Sequence, residues 1–246
     1  MNRYKIPQKA IRRMSGYYRI LRDMESRGEK KLCSRQLGEA MNCAASQVRQ
    51  DFSFFGNFGT TGQGYALGAL RSSVGRVLGA DRRNPAILVG VGHIGTYLLE
   101  SQVFADSGFE IVAAFDISPA VIGREVKGLV VRDSEDIAAY LKENKVTMAA
   151  LCLPGYSAQA AADLVCAHGV MAIWNVTGDD LELPGGVVLE ELSISDSFLS
   201  LSYHLAQRRA LQEEELLARR KAELRRQRED ERYDRNRGLV AMGQGL

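Results

Sequence analysis

The sequence predicts an α/β fold behind a smaller N-terminal helical domain, and three observations carry that reading. Charge is segregated along the chain, with 14 basic against 5 acidic side chains in residues 1–80, 7 against 17 in residues 81–206, and 11 against 8 in residues 207–246. From Ala86 the apolar pattern changes from helical spacing to short apolar runs separated by helical stretches. One of those runs leads directly into the glycine loop Gly90-Val91-Gly92-His93-Ile94-Gly95.

The chain has 246 residues, 46% of them apolar, enough for two modest domains with their own cores. No apolar run approaches the roughly 20 residues that cross a bilayer, and Met1 to Ala10 lacks the apolar stretch of a signal peptide. No membrane association is expected, and a cytoplasmic protein is. The four cysteines, Cys33, Cys43, Cys152 and Cys166, are far apart without a CxxC pair, and the 3 histidines are scattered. This argues for reduced, small apolar side chains and for no metal site.

The first domain, residues 1–80, opens with an apolar series at Tyr17, Tyr18, Ile20, Leu21 and Met24 that ends at Gly28. Ser34 is positioned to cap a short helix burying Leu37, Ala40 and Met41, which breaks at Asn42. A second helix starts near Ala45 with Val48, Phe52 and Phe55 on one face, so the pair reads as helix-turn-helix. Four glycines between Gly56 and Gly64 then permit tight turns, as in the β-wing of a winged helix, and a helix over 66–78 closes the domain. Residues 79–85 form the linker.

The second domain, residues 81–194, holds apolar runs at 86–91, 111–115, 148–153, 171–176 and 187–189. Alternation with helices implies βαβ units and a mostly parallel sheet. In the glycine loop, the first glycine makes the turn, the second admits a pyrophosphate close to the backbone, and the third lets helix pack on strand. Asp116 ends the next apolar run, 21 residues after Gly95, where a carboxylate accepts hydrogen bonds from an adenosine ribose. This is a Rossmann fingerprint, and the anion at 116 favours NAD(H) over NADP(H). His93 lies inside the loop, where it suits phosphate or water better than acid catalysis. No Ser/His/Asp set and no proton donor for hydride transfer can be placed beside a nicotinamide, so no catalytic residues are assigned.

The final part is one helical pattern, amphipathic through Phe198, Leu201 and Leu205, then charged from Arg208 to Arg237. The apolar part, 195–206, needs a partner, and 207–246 reads as a solvated helix or tail.

A basic N-terminal unit beside an acidic middle has the footprint of a polyanion binder. On the second helix, Ser46, Gln47, Arg49 and Gln50 lie away from Val48 and Phe52 and suit base edges in the major groove, while Arg12, Arg13, Lys30 and Lys31 suit phosphates.

These residues resemble the Rex family of redox-sensing transcriptional repressors over roughly residues 6–205. The resemblance is carried by Tyr17 to Leu21, Ser34, Leu37, the block Gln47 to Gly56, Phe58-Gly59 and Gly62 to Tyr65. It continues through Gly90 to Gly95, Ala113 to Asp116, Leu153-Pro154, Asn175 and Leu201 to Tyr203. It implies a homodimer on a double-stranded, inverted-repeat operator, released when NADH accumulates, with the helix over 195–206 exchanged between subunits. It implies that Arg49 reads the major groove with Ser34 and Phe54 nearby, that Thr60, Thr61, Gly62 and Gln63 enter the minor groove, and that Gly90, Val91, Gly92, His93, Ile94, Gly95, Asp116, Pro154 and Asn175 line the cofactor site.

The sequence departs from the family pattern at several positions. Gln50 stands where a second basic residue is usual, and Ala44 stands where a Ser or Thr cap is usual. Ser101 replaces a Tyr and Ser193 an Asp of the switch network, in which Arg19 is retained. Two other functions stay open at this level: DNA binding with lost or altered nucleotide sensing, and an NAD-dependent dehydrogenase with a helical accessory domain.

Overall fold

The computed structural model describes residues 6–56, 58 and 64–243. The expected minor-groove residues Thr60, Thr61, Gly62 and Gln63 lie outside the described residues.

The N-terminal module is built from α1 (Gln8–Ser26), β1 (Lys31–Leu32), α2 (Ser34–Ala40), α3 (Ala45–Phe55), β2 (Tyr65–Ala66) and α4 (Leu67–Leu78). The two short strands pair antiparallel, Lys31 opposite Ala66 and Leu32 opposite Tyr65. Met14, Tyr17 and Leu21 of α1 form one core with Leu37, Val48, Phe52, Leu67, Leu70 and Val74. Phe52 is its aromatic hub, with ring centroids 5.6 Å from Tyr17, 5.0 Å from Phe58 and 5.7 Å from Tyr65. The turn between α2 and α3 depends on backbone: Asn42 is left-handed (φ 51), and a Cβ on Gly38 would come within 2.6 Å of the Cys43 carbonyl oxygen.

Two local expectations are corrected. Cys33, not Ser34, is the N-cap of α2, and its backbone N–H donates to Gln36 Oε1 at 2.8 Å. Ala40 is exposed, because the short helix turns Leu37 and Gly38 inward instead.

The second module holds a seven-stranded sheet of β3 (Asn84–Val89), β4 (Phe109–Asp116), β5 (Glu125–Val126), β6 (Leu129–Asp133), β7 (Met148–Leu151), β8 (Ala172–Asn175) and β9 (Val188–Glu191). Their spatial order is β5-β6-β4-β3-β7-β8-β9, and every pair is parallel except the β5–β6 hairpin. Without that hairpin strand the sheet has the doubly wound dinucleotide-fold order. The helices are α5 (His93–Glu100), α6 (Val103–Asp106), α7 (Ile137–Glu143) and α8 (Ala158–Ala167). Separate apolar cores cover the two sheet faces, one around Ile87, Phe115, Leu151 and Ile173, the other around Leu88, Leu98, Phe104 and Ala150.

From Ser193 onward a distinct unit consists of α9 (Ile194–Gly243), a single helix of 50 residues with no break near Ala206. Ser193 caps it, its Oγ accepting from the Asp196 backbone N–H at 3.1 Å and lying 3.0 Å from Ser195 Oγ. Phe198, Leu201 and Leu205 are exposed along it.

Candidate functional site

Two constellations stand out, one on α3 and one at the carboxyl ends of β3, β4 and β7.

On α3, Val48, Asp51 and Phe52 face inward, and Ser46, Arg49, Gln50 and Phe54 face out. The outward residues recur at helical spacing on a face clear of the core. Arg49 Nη1 donates to Ser34 Oγ at 3.1 Å, which joins the starts of that face and of α2. Lys30 and Lys31 are exposed at the first strand.

Beneath this face lies a group that sequence pattern alone did not single out. Asp51 is completely buried (0% exposed) and accepts four hydrogen bonds. They come from Arg13 Nε and Nη2 at 2.7 Å each, Tyr17 Oη at 2.8 Å and Gln47 Nε2 at 2.9 Å. Burial alone would raise the Asp51 carboxyl, but the bonds from Arg13, Tyr17 and Gln47 outweigh it and hold the group below its ordinary range. Burial and the same carboxylate push the Tyr17 phenol up, so it stays a protonated donor.

Three of the expected DNA-contact side chains have partners within the protein. Arg13 spends its guanidinium fork on Asp51, not on a phosphate. Gln47 points back to the same carboxylate, one helical turn along, and not to a base. Arg12, exposed, reaches toward Glu190 on β9 with Nη2 3.7 Å from Oε1. Counting charges identified a basic module but could not show which cations already have partners.

In the second module, Gly90 has φ 96, and a Cβ there would lie 2.5 Å from the Cys152 carbonyl oxygen. Its N–H donates to the Phe115 carbonyl at 2.8 Å. Gly95 packs so close to the loop that a Cβ would meet the Gly90 oxygen. Gly92 differs: it is the N-cap of α5, has ordinary extended backbone and faces open space. The loop thus has two glycines demanded by packing and one that leaves room in front of a helix N-terminus, as an approaching pyrophosphate requires.

Asp116 sits beside this loop. Its Oδ2 accepts from the Val91 N–H at 2.6 Å and its Oδ1 from the Ser118 N–H at 2.8 Å. The structure therefore brings Gly90 to Gly95 and Asp116 into one cradle. Pro154 is exposed where β7 runs into a 3-10 turn, Gly155–Ser157, and the preceding Leu153 N–H passes close to Gly90. His93 and Ile94 are exposed on the first turn of α5, and Ile117 and Tyr156 are among the most exposed apolar side chains of this module.

Asn175, at the end of β8, is 2% exposed. Its Nδ2 donates to the Asp179 carbonyl at 2.7 Å, and its Oδ1 accepts from Thr177 N–H and Oγ1 at 3.1 and 2.7 Å. These bonds shape the loop that follows β8.

Of the expected switch residues, Arg19 is exposed on α1. Ser101 ends α5, its Oγ donating to the Leu98 carbonyl at 2.8 Å. Among the described residues no cluster of His, Cys, Asp and Glu could hold a metal ion, and no helix is long and apolar enough to cross a membrane.

With this geometry established, the chain can be compared with known proteins. Residues 5–53 match the family model described as "Putative DNA-binding protein N-terminus", and residues 81–178 match that of a CoA binding domain. The redox-sensing transcriptional repressor Rex of Clostridioides difficile (strain 630) is 37% identical over 198 residues, 80% of this chain and 94% of that protein. The protein of the same name from Thermoanaerobacter pseudethanolicus is 36% identical over 89% of this chain and 95% of its own. Among solved structures, RSP in complex with beta-NAD+ and operator DNA aligns with a TM-score of 0.78 at 34% identity, covering 85% of this chain and 97% of that one. RSP in complex with beta-NADH aligns with a TM-score of 0.77 at 32% identity, covering 85% and 98%.

Proposed function

The chain belongs to the Rex family of redox-sensing transcriptional repressors, and from that premise we propose that it binds operator DNA through α3 and releases it when NADH occupies the cradle at Gly90 to Gly95. The observation that carries this reading is the coexistence, in one chain, of an exposed helix face at Ser46, Arg49 and Gln50 and an open glycine loop facing a carboxylate.

Arg49 would pair with guanine edges, with Ser34 steadying its guanidinium, while Ser46, Gln50 and Phe54 flank it and Lys30 and Lys31 neutralise phosphates. Residues 60–63 are proposed as the minor-groove contact. NAD(H) would place its pyrophosphate before Gly92 at the N-terminus of α5, next to His93, and its adenosine ribose at Asp116, with Pro154 at the cleft mouth. The carboxylate would then exchange its bond to the Val91 N–H for the ribose hydroxyls. An anion at this position disfavours a 2′-phosphate.

The dinucleotide acts as a signal. A ligand that binds one arrangement of the modules better than another shifts the population toward it, and DNA affinity falls by the same coupling free energy. No substrate turnover is proposed for these residues. The repressor is read as a cytoplasmic homodimer, the exposed stripe Phe198, Leu201 and Leu205 on α9 being apolar surface for a second copy to cover.

The test is anisotropy of a labelled inverted-repeat operator at fixed salt, since phosphate contacts make affinity steeply salt-dependent. Release by NADH and not by NAD+ is expected. Tight binding indifferent to both would leave a DNA-binding protein without redox sensing.

A further inference from the structure

The N-terminal module and the sheet module meet at α1, and among the described residues two ion pairs cross between them. Arg12 and Glu190 make the looser one, at 3.7 Å with side chains 71% and 55% exposed. Arg22 and Asp106 make the closer one, Nη2 donating to Oδ1 at 2.7 Å with side chains 39% and 43% exposed.

The positions of Arg22 and Asp106 connect both functional sites. Asp106 is the last residue of α6, the short helix that follows α5, whose N-terminus is the glycine loop. Phe104 of α6 is anchored in the sheet core against Trp174, with ring centroids 5.7 Å apart. Arg22 is on α1, which is tied to α3 by the buried bonds of Arg13 and Tyr17 to Asp51. The linker crosses at the same point: a Cβ on Gly108 would meet the Gly79 and Arg82 carbonyl oxygens, and both the N–H and the Nδ2 of Asn84 donate to the Gly108 carbonyl. The bridge therefore lies beside the linker, with packed contacts leading toward the glycine loop on one side and toward the DNA-facing helix on the other.

We propose that Arg22 and Asp106 are a positioning pair that couples the dinucleotide cradle to α3, by holding α1 against the end of α6 in the operator-binding arrangement. The inference rests on the function proposed above. The arrangement seen here, in which the pair is closed, is the one this proposal assigns to operator binding. A half-exposed pair is worth little as stability, yet its small energy falls entirely on one of two states and so biases their ratio. Reciprocity then requires that what weakens operator binding strengthens NADH binding by the same factor.

The experiment compares the full-length protein with Arg22→Gln, Asp106→Asn and the exchanged pair Arg22→Asp/Asp106→Arg. Operator affinity is measured without dinucleotide, and NADH affinity without DNA by nicotinamide fluorescence. Each single variant is expected to weaken operator binding and tighten NADH binding by about two- to fivefold, and the exchange to restore both. Unchanged operator affinity, weakened operator binding with unchanged NADH affinity, or failure of the exchange to restore them would overturn the proposal. If the unaltered protein holds its operator at saturating NADH, the proposed function falls and the coupling with it. If that protein releases and the variants match it, only the coupling falls.

Discussion

Among the described residues each domain buries one polar side chain, Asp51 under α3 and Asn175 at the end of β8, and the two are used differently. Asp51 is a charge surrounded by donors from two helices, 34 and 38 residues away in sequence from Tyr17 and Arg13. It locks one element of the DNA-binding module onto another. Asn175 is neutral, and its side chain bonds to residues within its own following loop, Thr177 and Asp179. It shapes a local segment, while the surrounding sheet stands on its backbone ladder and apolar packing. Orientation of a reading helix thus depends on one long-range ionic node, whereas the cradle depends on backbone fit.

The largest effect is expected from Asp51→Ala. Breaking a buried ion pair costs about 3–5 kcal/mol, reduced here to about 2–3 kcal/mol because Arg13 retains access to solvent. The substitution should lower the denaturation midpoint of the N-terminal module and abolish operator binding while NADH binding persists. If DNA affinity survives intact, Asp51 does not set the helix.

Acid provides a milder version of the same test. The folded-state pKa of Asp51 lies below its unfolded value of about 3.9, so its contribution is complete above that pH and is lost as pH falls through the folded value. Thermal melts between about pH 6 and pH 2 should show a loss of stability at the acid end that an Asp51→Asn variant, weaker throughout, shows less steeply. Equal slopes in the two proteins would remove Asp51 as the source.

The smallest effect belongs to the other region. Asn175→Ala leaves the Thr177 N–H and Asp179 carbonyl to find other partners, at a cost of about 1 kcal/mol. Calorimetry with NADH should show a modest loss of affinity, with operator binding in the absence of dinucleotide unchanged. A loss of operator binding instead would break the contrast between long-range node and local loop.

Much of this organisation was legible in the sequence, and for physical reasons. The helix-turn-helix pair, the glycine loop and Asp116 are local: glycine positions, apolar spacing and a strand end identify them without tertiary information. The β5–β6 hairpin was missed because its strands are short and carry exposed Glu125, Val130 and Arg132, which leave no apolar run. The partners of Arg12, Arg13 and Gln47, which are Glu190 and Asp51, are not legible in the sequence because they are chosen by packing across the fold or by the inner face of a helix. Arg22 and Asp106, 84 residues apart, have no sequence signature at all. The continuity of α9 past Ala206 decides between the solvated helix and the tail that the sequence leaves open, since a charged helix and a charged tail have the same composition.

On this reading the cradle and α3 are separate sites joined by a conformational equilibrium. Gly92 offers the most direct test, because its backbone is ordinary and no atom lies within 4 Å of an added Cβ. Gly92→Ala should therefore fold normally while obstructing the pyrophosphate. Operator anisotropy would be followed for this variant and the unaltered protein as NADH is raised to saturation. Equal operator affinity at the start, release of the unaltered protein and retention of the variant on DNA are expected. Release of both at the same NADH concentration would place the signal elsewhere and contradict it.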